Sequence, residues 1–544
     1  MIQLNRILSA AVLYIALPGA LCFAQMTNFI DSLCNRKVLL DKQNRIIPWY
    51  SPGDKAYDQF LRIRWDFIKT KVPNSPDPPP RSLYPQYYFY CAFTEKNGTL
   101  EPDLWMNDIG EKIPNWFESA RLYYAYSGDE SVMIIMKKFI DYTMNHGTSP
   151  SNFEWPDFPY TTTNAGDTIF LGFTNTPRLV KHEIQVDHAG EIGLTYLRMY
   201  LYTDDNKYLD AAIKIANVLA AKSKTGNASE SVWPYRVIMD DGKITAPYGA
   251  NWTGCYVLFD NLIKGGHGNL KEYSSTRDKI RDFLLKYPMK TGYWTDGHTD
   301  TDVKSNTYKS NLSASNMSLC LFDYPELDPD WKTDIPALLD WTEKYFVFRT
   351  APNEPSTMWG ANIVGEQDSF NYKMDYQTAR YAATCARWFA VSGDESYKEK
   401  AYRSLNWVTY CNDSYGMAYE SPVSKGIHSW WSDCYGECPR MFYHAFAAVP
   451  EWAPKGENHI LYSEGILKKV LYDCKKVQYT ATTSKGTEFL RIAFKPAEVT
   501  LNGKKMLLKA DFSDEGYTLR DLGGGDYSVL INRRRTGVIL ITGR

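Results

Sequence analysis

Tyr126-Ser-Gly-Asp-Glu-Ser-Val132, Tyr202-Thr-Asp-Asp-Asn-Lys-Tyr208 and Val391-Ser-Gly-Asp-Glu-Ser-Tyr397 each lie between two stretches whose apolar residues recur at helical spacing. Each reads as a tight turn between two antiparallel helices. Gly128 and Gly393 can end one helix in a left-handed conformation, and Ser131, Asp205 or Ser396 can start the next. A helical hairpin that recurs along a chain predicts a repeat architecture. Working outward from these turns gives six hairpins. They run from Ile113 to His146, from Asp187 to Lys222, from Thr253 to Tyr287 around Gly265-Gly-His-Gly268, from Ser313 to Phe346 around Tyr324-Pro-Glu-Leu-Asp-Pro329, and from Lys373 to Tyr410. The sixth begins near Tyr435 and closes weakly after Pro450. The expected fold is mainly α, an (α/α)6 toroid whose inner helices line a hole that the outer helices surround. An open solenoid obeys the same packing rules. Open arrays, however, have regular connections, and these are irregular.

That irregularity locates function. Turns inside hairpins are short, whereas the connections between them, such as 147–186 and 223–252, are long. In a closed toroid the short turns share one rim and the long connections the other. Long loops in a compact domain tend to carry function, so the active rim is expected on the long-loop side. From about Ile466 the pattern changes to alternation. Arg491-Ile-Ala-Phe, Glu498-Val-Thr-Leu-Asn-Gly-Lys504 and Tyr527-Ser-Val-Leu-Ile-Asn532 read as antiparallel strands, with Asn502-Gly503 as a type I′ turn. The expected division is a signal peptide over 1–24, a lead-in or cap segment over 25–102, the toroid over 103–455 and a small β-sandwich-like domain over 456–544.

The N-terminus has a basic start, an apolar run to Phe23 and Cys22-Phe-Ala24 as a small-residue cleavage site. It predicts export to the periplasm or beyond. Leu21 spoils a lipobox, so a lipid anchor at Cys22 is not favoured, and no later run approaches the ~18 apolar residues of a membrane span. Among 544 residues, 61 basic against 63 acidic side chains leave a formal charge of -2, which gives no reason to expect a nucleic-acid partner. The ten cysteines are scattered without a Cys-x-x-Cys pair, which argues against structural zinc. Cys434 and Cys438, one helical turn apart, read as two buried thiols, with a disulfide as the alternative. Aromatic residues make up 15% of the chain, and their flat faces suit either a bulky helical core or sugar rings.

Asp187-His-Ala-Gly-Glu191, Trp359-Gly-Ala-Asn362 with Glu366-Gln367, and Trp431-Ser-Asp-Cys-Tyr435 add local phrases to this architecture. Over roughly 100–544 the chain resembles secreted (α/α)6-toroid carbohydrate-active proteins with a C-terminal β-sandwich, among them glycoside hydrolases and polysaccharide lyases. The resemblance is to the group and not to one family. It implies glycan chemistry as a class, with an oligo- or polysaccharide as substrate.

Each long connection delivers polar and aromatic residues to the start of the next inner helix. The first ends in Lys181-His182-Glu183 and enters through Asp187-His188, with Glu191 a turn later. Asp187 can simply cap the helix, while His188 and Glu191, three apart, share a face that can point into the hole. The second holds Trp233-Pro-Tyr-Arg236 and Tyr248-Gly-Ala-Asn251-Trp252. Arg236 can grip a uronate carboxylate or form an ordinary salt bridge, and the rings can act as sugar platforms. The third, Asp296-Gly-His298-Thr-Asp300-Thr-Asp302, invites a calcium ion, but its spacing is loose and lacks the EF-hand glutamate. A solvated turn is the preferred reading, and substrate contact through His298 is a further alternative. The fourth gives Trp359, Glu366, Asp368, Asn371 and Tyr372 before Asp375, and the fifth His428-Ser-Trp430-Trp431-Ser-Asp433 before Tyr435, Glu437 and Arg440. Trp430 and Trp431 are either a sugar platform or a hydrophobic lid.

The candidate catalytic residues are therefore Asp187, His188, Glu191, Asp375 and Asp433. The candidate substrate contacts are His182, Trp233, Arg236, Tyr248, Asn251, Trp252, His298, Trp359, Glu366, Tyr372, Trp430, Trp431 and Tyr435. No metal or other cofactor is expected. Glycoside hydrolysis needs two carboxylates, one held protonated, and the preferred pair is Glu191 or Asp187 facing Asp433 across the hole. A lyase needs a Tyr, His or Lys base and a group that offsets a uronate's charge. The rim offers those in His182, His188, Asn251, Arg236, Tyr248 and Tyr372. Hydrolysis is preferred because acids recur at inner-helix starts; a uronate lyase and a silent glycan-binding protein are the alternatives. No phosphate loop, nucleophile elbow or dinucleotide fingerprint is present in the sequence.

Overall fold

In each of the three Asp-containing turns, one residue in left-handed backbone ends a helix and an aspartate starts the next. Gly128 and Gly393 have φ of 76° and 74°, and Asp204 takes the same role at 61°. Asp129, Asp205 and Asp394 each accept a backbone N–H from two residues on, at 3.0, 3.1 and 2.9 Å. Ser131 and Ser396, expected to start helices, are thus the residues whose N–H groups are capped, because a carboxylate opposes the helix dipole better than a hydroxyl does. The computed structural model describes residues 38–50, 53–72, 92–96, 99–102, 109–163, 180–295, 309–348, 360–368, 373–413, 416–419, 430–511 and 514–543. The expected signal segment, the lipobox position Cys22, His298, Trp359, Tyr372 and the calcium candidates Asp296, Asp300 and Asp302 lie outside these residues.

Apart from a single helical turn over Pro288–Thr291, the helices among the described residues are α1 (Ala56–Thr70), α2 (Ile109–Ser127), α3 (Ser131–His146), α4 (Val186–Thr203), α5 (Asn206–Lys222), α6 (Thr253–Gly265), α7 (Leu270–Lys286), α8 (Asn311–Asp323), α9 (Trp331–Tyr345), α10 (Asp375–Ser392), α11 (Glu395–Val408), α12 (Ser432–Gly436) and α13 (Cys438–Ala448). α2, α4, α6, α8, α10 and α13 form the inner ring, and each contacts the next. Two glycines of α4 allow its approach to α6: a Cβ on Gly190 would lie 2.2 Å from Cys255 Sγ, and one on Gly193 would lie 3.0 Å from Leu258. Outer helices α3, α5, α7, α9 and α11 each follow an inner one in the chain. The result is the expected (α/α)6 toroid.

Its sixth outer position is filled from a place that the hairpin pattern does not indicate. No helix follows Pro450 before the first strand of the C-terminal region, apart from a single 3-10 turn, among the described residues. Instead α1 lies between α13 and α2. Tyr57 meets Phe442 edge-on at 5.3 Å, Trp65 stacks on Tyr123 at 5.3 Å, and Tyr126 donates to Asp58 at 2.8 Å. Arg64 of α1, fully buried, donates to Asp375 at 2.9 Å and to Asn412 at 2.7 Å. The ring is thus closed by α1, the first described helix, lying against the last inner helix.

Short strands decorate the long-connection rim. β1 (Ala92–Lys96) pairs with β2 (Thr99–Pro102) and with β6 (Trp430–Trp431), whereas β3 (Glu183–Gln185), β4 (Arg236–Ile238) and β5 (Ile244–Ala246) form a second sheet. After α13 come, among the described residues, the strands β7 (His459–Ser463), β8 (Leu467–Asp473), β9 (Lys476–Ala481), β10 (Gly486–Ile492), β11 (Pro496–Leu501), β12 (Lys504–Lys505), β13 (Gly516–Gly523), β14 (Asp526–Arg533) and β15 (Gly537–Gly543). They form two antiparallel sheets, ordered β13-β14-β10-β7 and β12-β11-β15-β9-β8. Asn502 and Gly503 both have positive φ, 51° and 73°, as the expected type I′ turn requires. No helix among the described residues is long and apolar enough to cross a membrane.

Candidate active site

The inner helices differ from ordinary amphipathic helices in carrying two stripes. One is apolar and packs on the outer ring; the other, at the same helical period, is polar and faces the hole. In α2 it reads Glu111, Asn115, Glu118; in α4 His188, Glu191, Thr195, Arg198; in α8 Asn316, Cys320, Asp323. Together with Arg440 and His444 of α13 these stripes wall a cavity of about 160 Å³.

Near the mouth, a chain of hydrogen bonds runs around the ring and takes one residue from each inner helix or its entry. Asn251 donates to Asp187 at 3.1 Å, Asn316 to Asn251 at 3.0 Å, Arg380 to both Asn316 and Glu437, and Asn115 to Glu437 at 2.6 Å. This belt fixes the six helix starts relative to one another. Burying amides and charges is tolerable here because each partner satisfies the next. At the far end the cavity is closed by β7: Tyr462 donates to Asp323 at 2.5 Å, and Arg121 donates to the Ser463 carbonyl at 2.9 Å.

Most charges in the wall are paired. Glu118 accepts from Arg121 at 2.7 Å and Arg198 at 2.5 Å. Burial opposes its ionisation, but the two guanidinia win and hold its carboxyl at about 2. Burial likewise opposes ionisation of Glu437, yet Arg380 and Arg440 keep it below the usual carboxylate range. Asp323 accepts from Arg387 at 2.9 Å, and Arg387 also reaches His444 Nδ1 at 3.2 Å. Burial and the neighbouring guanidinia hold His444 well below the usual imidazole range, so it is neutral and accepts at Nδ1.

Two groups stand apart. Glu191 makes no side-chain hydrogen bond or ion pair among the described residues, and burial pushes its carboxyl up to about 7, with the charge on Asp187 adding to the effect and His188 and Arg440 opposing it. Gly254 makes room for it: a Cβ there would lie 2.3 Å from Glu191 Cγ. Arg440, whose side chain is 16% exposed, donates no hydrogen bond among the described residues; Glu437 at 3.8 Å is its nearest ion-pair partner.

The chain is similar in structure to D-mannose isomerase, over 73% of its own length and 99% of that protein's, with a TM-score of 0.51 and 12% identity. The fold is shared. Cellobiose 2-epimerase from Spirochaeta thermophila DSM 6192 covers 71% of this chain and 96% of its own, at TM-score 0.49 and 9% identity. A family 76 glycoside hydrolase from a bovine Bacteroides thetaiotaomicron strain covers 73% and 79%, at 0.47 and 12%. No protein-family model and no curated protein matches the chain.

The structure gathers some of the expected residues and disperses others. His188, Glu191 and Asn251 line the cavity, and Asp187 sits behind them in the belt, His188 Nε2 lying 3.9 Å from its carboxylate. Asp375 is in the first turn of α10 but turns to Arg64, away from the cavity lining; burial pushes its carboxyl up against that guanidinium's pull. Trp233 and Trp252 are fully buried, 5.4 Å apart, and donate to the carbonyls of Leu219 and Gly249. They form core and expose no face to a sugar. Tyr435 is also buried, stacked on Trp116 at 6.0 Å, with its hydroxyl donating to Gly416 O at 2.9 Å.

His182 pairs with Asp240 at 3.0 Å and packs on Phe153 at the edge of the β3–β5 sheet. Arg236 lies over Tyr235 in that same sheet, its guanidinium 5.2 Å from the ring centre. Tyr248 stacks on Tyr293 at 5.2 Å, and Glu366 accepts from Tyr376 at 3.2 Å. Trp430 and Trp431 pair through their backbones with Phe93 and Ala92, and Asp433 belongs to α12. Cys434 and Cys438 are buried thiols that share no disulfide. Sequence reasoning missed Asn115, Glu118, Arg198, Asn316 and His444. The signal was present as polar residues recurring every three or four positions inside otherwise apolar helices.

Proposed function

We propose that the cavity is the active site of a glycoside hydrolase in which Glu191 is the general acid. The observation that carries this reading is the contrast between two carboxyls in one wall. Glu191 is without a hydrogen-bond partner among the described residues and protonated up to about pH 7, whereas Glu437 is held ionised by Arg380 and Arg440. Environments that push neighbouring carboxyls apart are how a site obtains an acid and a carboxylate at one pH. Glu191 delivers its proton to the glycosidic oxygen, and the ionised partner comes from the α12–α13 side of the mouth, where Glu437 stabilises developing positive charge on the sugar ring. Asp433, four residues before Glu437, is assigned as the base that activates water, on its place in the sequence. The cavity is smaller than the ~300 to 1,000 Å³ of pockets for drug-sized ligands, which favours a single sugar ring over a polysaccharide run. The shared fold with a sugar-converting enzyme supports the substrate class.

Incubation of the full chain with uronate-containing and neutral oligosaccharides tests the reaction. Hydrolysis yields new reducing ends without an unsaturated product, and Asp433→Asn abolishes it while leaving binding intact. An unsaturated product absorbing near ~235 nm would instead establish a lyase, and binding without product a silent receptor.

A further inference from the structure

The cavity holds a guanidinium that makes no hydrogen bond to the described protein. Of the carboxylates within its wall, Glu118 is taken by Arg121 and Arg198, Asp323 by Arg387 and Tyr462, and Glu437 by Arg380 and Asn115, while Glu111 lies 3.9 Å from Lys112. Glu191 forms no ion pair with Arg440. The five donors of Arg440 therefore meet no acceptor at hydrogen-bond distance among the described residues, and its Nε is sealed from solvent without a partner. No aromatic face among the described residues compensates it. A largely buried guanidinium whose one ion pair, to Glu437 at 3.8 Å, is too long for a hydrogen bond is costly, and the cost is recovered when an anion arrives, because a planar fork grips a carboxylate through two parallel hydrogen bonds.

We infer that Arg440 is the receptor for the carboxylate of an acidic sugar, so that the substrate of this site is a uronate and its glycosidic oxygen lies beside Glu191. The inference rests on the cavity being the sugar site and adds the class of sugar. Arg440 occupies the first turn of α13, on the same wall as Glu437. A ring anchored there by its C5 carboxylate is held at one edge, with its other edge toward α4 and Glu191. Arg236, for which the sequence suggested this task, lies over Tyr235 in the rim sheet and is not among the residues lining the cavity.

Isothermal titration of the full chain with D-glucuronate, D-galacturonate and D-mannuronate, alongside glucose, galactose, mannose and glucose 6-sulfate, tests the assignment. One uronate binds about tenfold or more tighter than its neutral counterpart, in line with a charge-assisted hydrogen-bonded pair. Arg440→Met removes that preference, bringing the affinity for the uronate down to that for the neutral sugar. Arg440→Lys, which keeps the charge and loses the fork, retains only part of the preference. Equal affinity for acidic and neutral sugars overturns the inference while leaving the hydrolase reading standing, as does a preference confined to the sulfate. Uronate binding lost in Arg440→Met, but without any hydrolysis by the native chain, preserves the inference and removes the hydrolase reading. No binding of any of these sugars overturns the inference.

Discussion

Replacing Glu191 by Gln should cost activity and gain stability, and the gain should depend on pH. The carboxyl moves from its ordinary 4.5 to about 7 on folding because the wall of the toroid desolvates it. A raised carboxyl value means that the folded chain holds a proton the unfolded chain releases, so stability falls as pH rises from about 4.5 to 7. At roughly 1.4 kcal/mol per pH unit the penalty is about 3 kcal/mol at pH 8 and about 1 kcal/mol at pH 5. Glutamine has the same shape and cannot ionise. The stability difference, Gln minus Glu, should therefore grow by about 2.5 kcal/mol between those two pH values. Urea unfolding of both proteins at pH 5 and pH 8 measures it. A difference that is the same at both pH values, or that shrinks at pH 8, refutes the electrostatic reasoning and with it the case for Glu191 as an acid. The trade of stability for function is the expected sign at a working site.

Gly254→Ala places a Cβ 2.3 Å from Glu191 Cγ and 2.9 Å from its Oε1, so the acid must shift. Turnover should fall about ten- to a hundredfold with KM little changed, since displacement of about 1 Å suffices for such a loss; unchanged kinetics would show that Glu191 has no fixed role. Asp375→Leu strands the buried Arg64 and should cost about 3 to 5 kcal/mol in urea unfolding, while activity per folded molecule persists. Loss of activity with stability intact would return Asp375 to the site.

The fold was legible because its turns are chemically distinctive: Gly128, Asp204 and Gly393 supply left-handed backbone, and Asp129, Asp205 and Asp394 cap the next helix. Ring closure by α1 escaped. Ala56–Thr70 reads as a helix, but that Arg64 reaches Asp375, 311 positions away, is a contact that no local pattern encodes. The site divided in the same way. His188 and Glu191 were legible as a pair sharing a helix face, whereas Trp233, Trp252 and Tyr435, expected as substrate contacts, are buried, because residue type does not say whether a ring faces a hole or a core. Asn115 and Asn316 were invisible singly. Their meaning lies in a belt that exists only when six helices meet.

The central claim, that Glu191 gives a proton to a leaving sugar oxygen, is tested most directly by changing the leaving group. With Glu191→Gln, hydrolysis of an ordinary sugar-sugar bond should fall by the roughly 10² to 10⁴ typical of general acid catalysis, and the fall in rate above about pH 7 should vanish. Cleavage of the matching 2,4-dinitrophenyl glycoside, whose leaving group needs no proton, should remain near the native rate. An equal loss on both substrates, or none on either, contradicts the account.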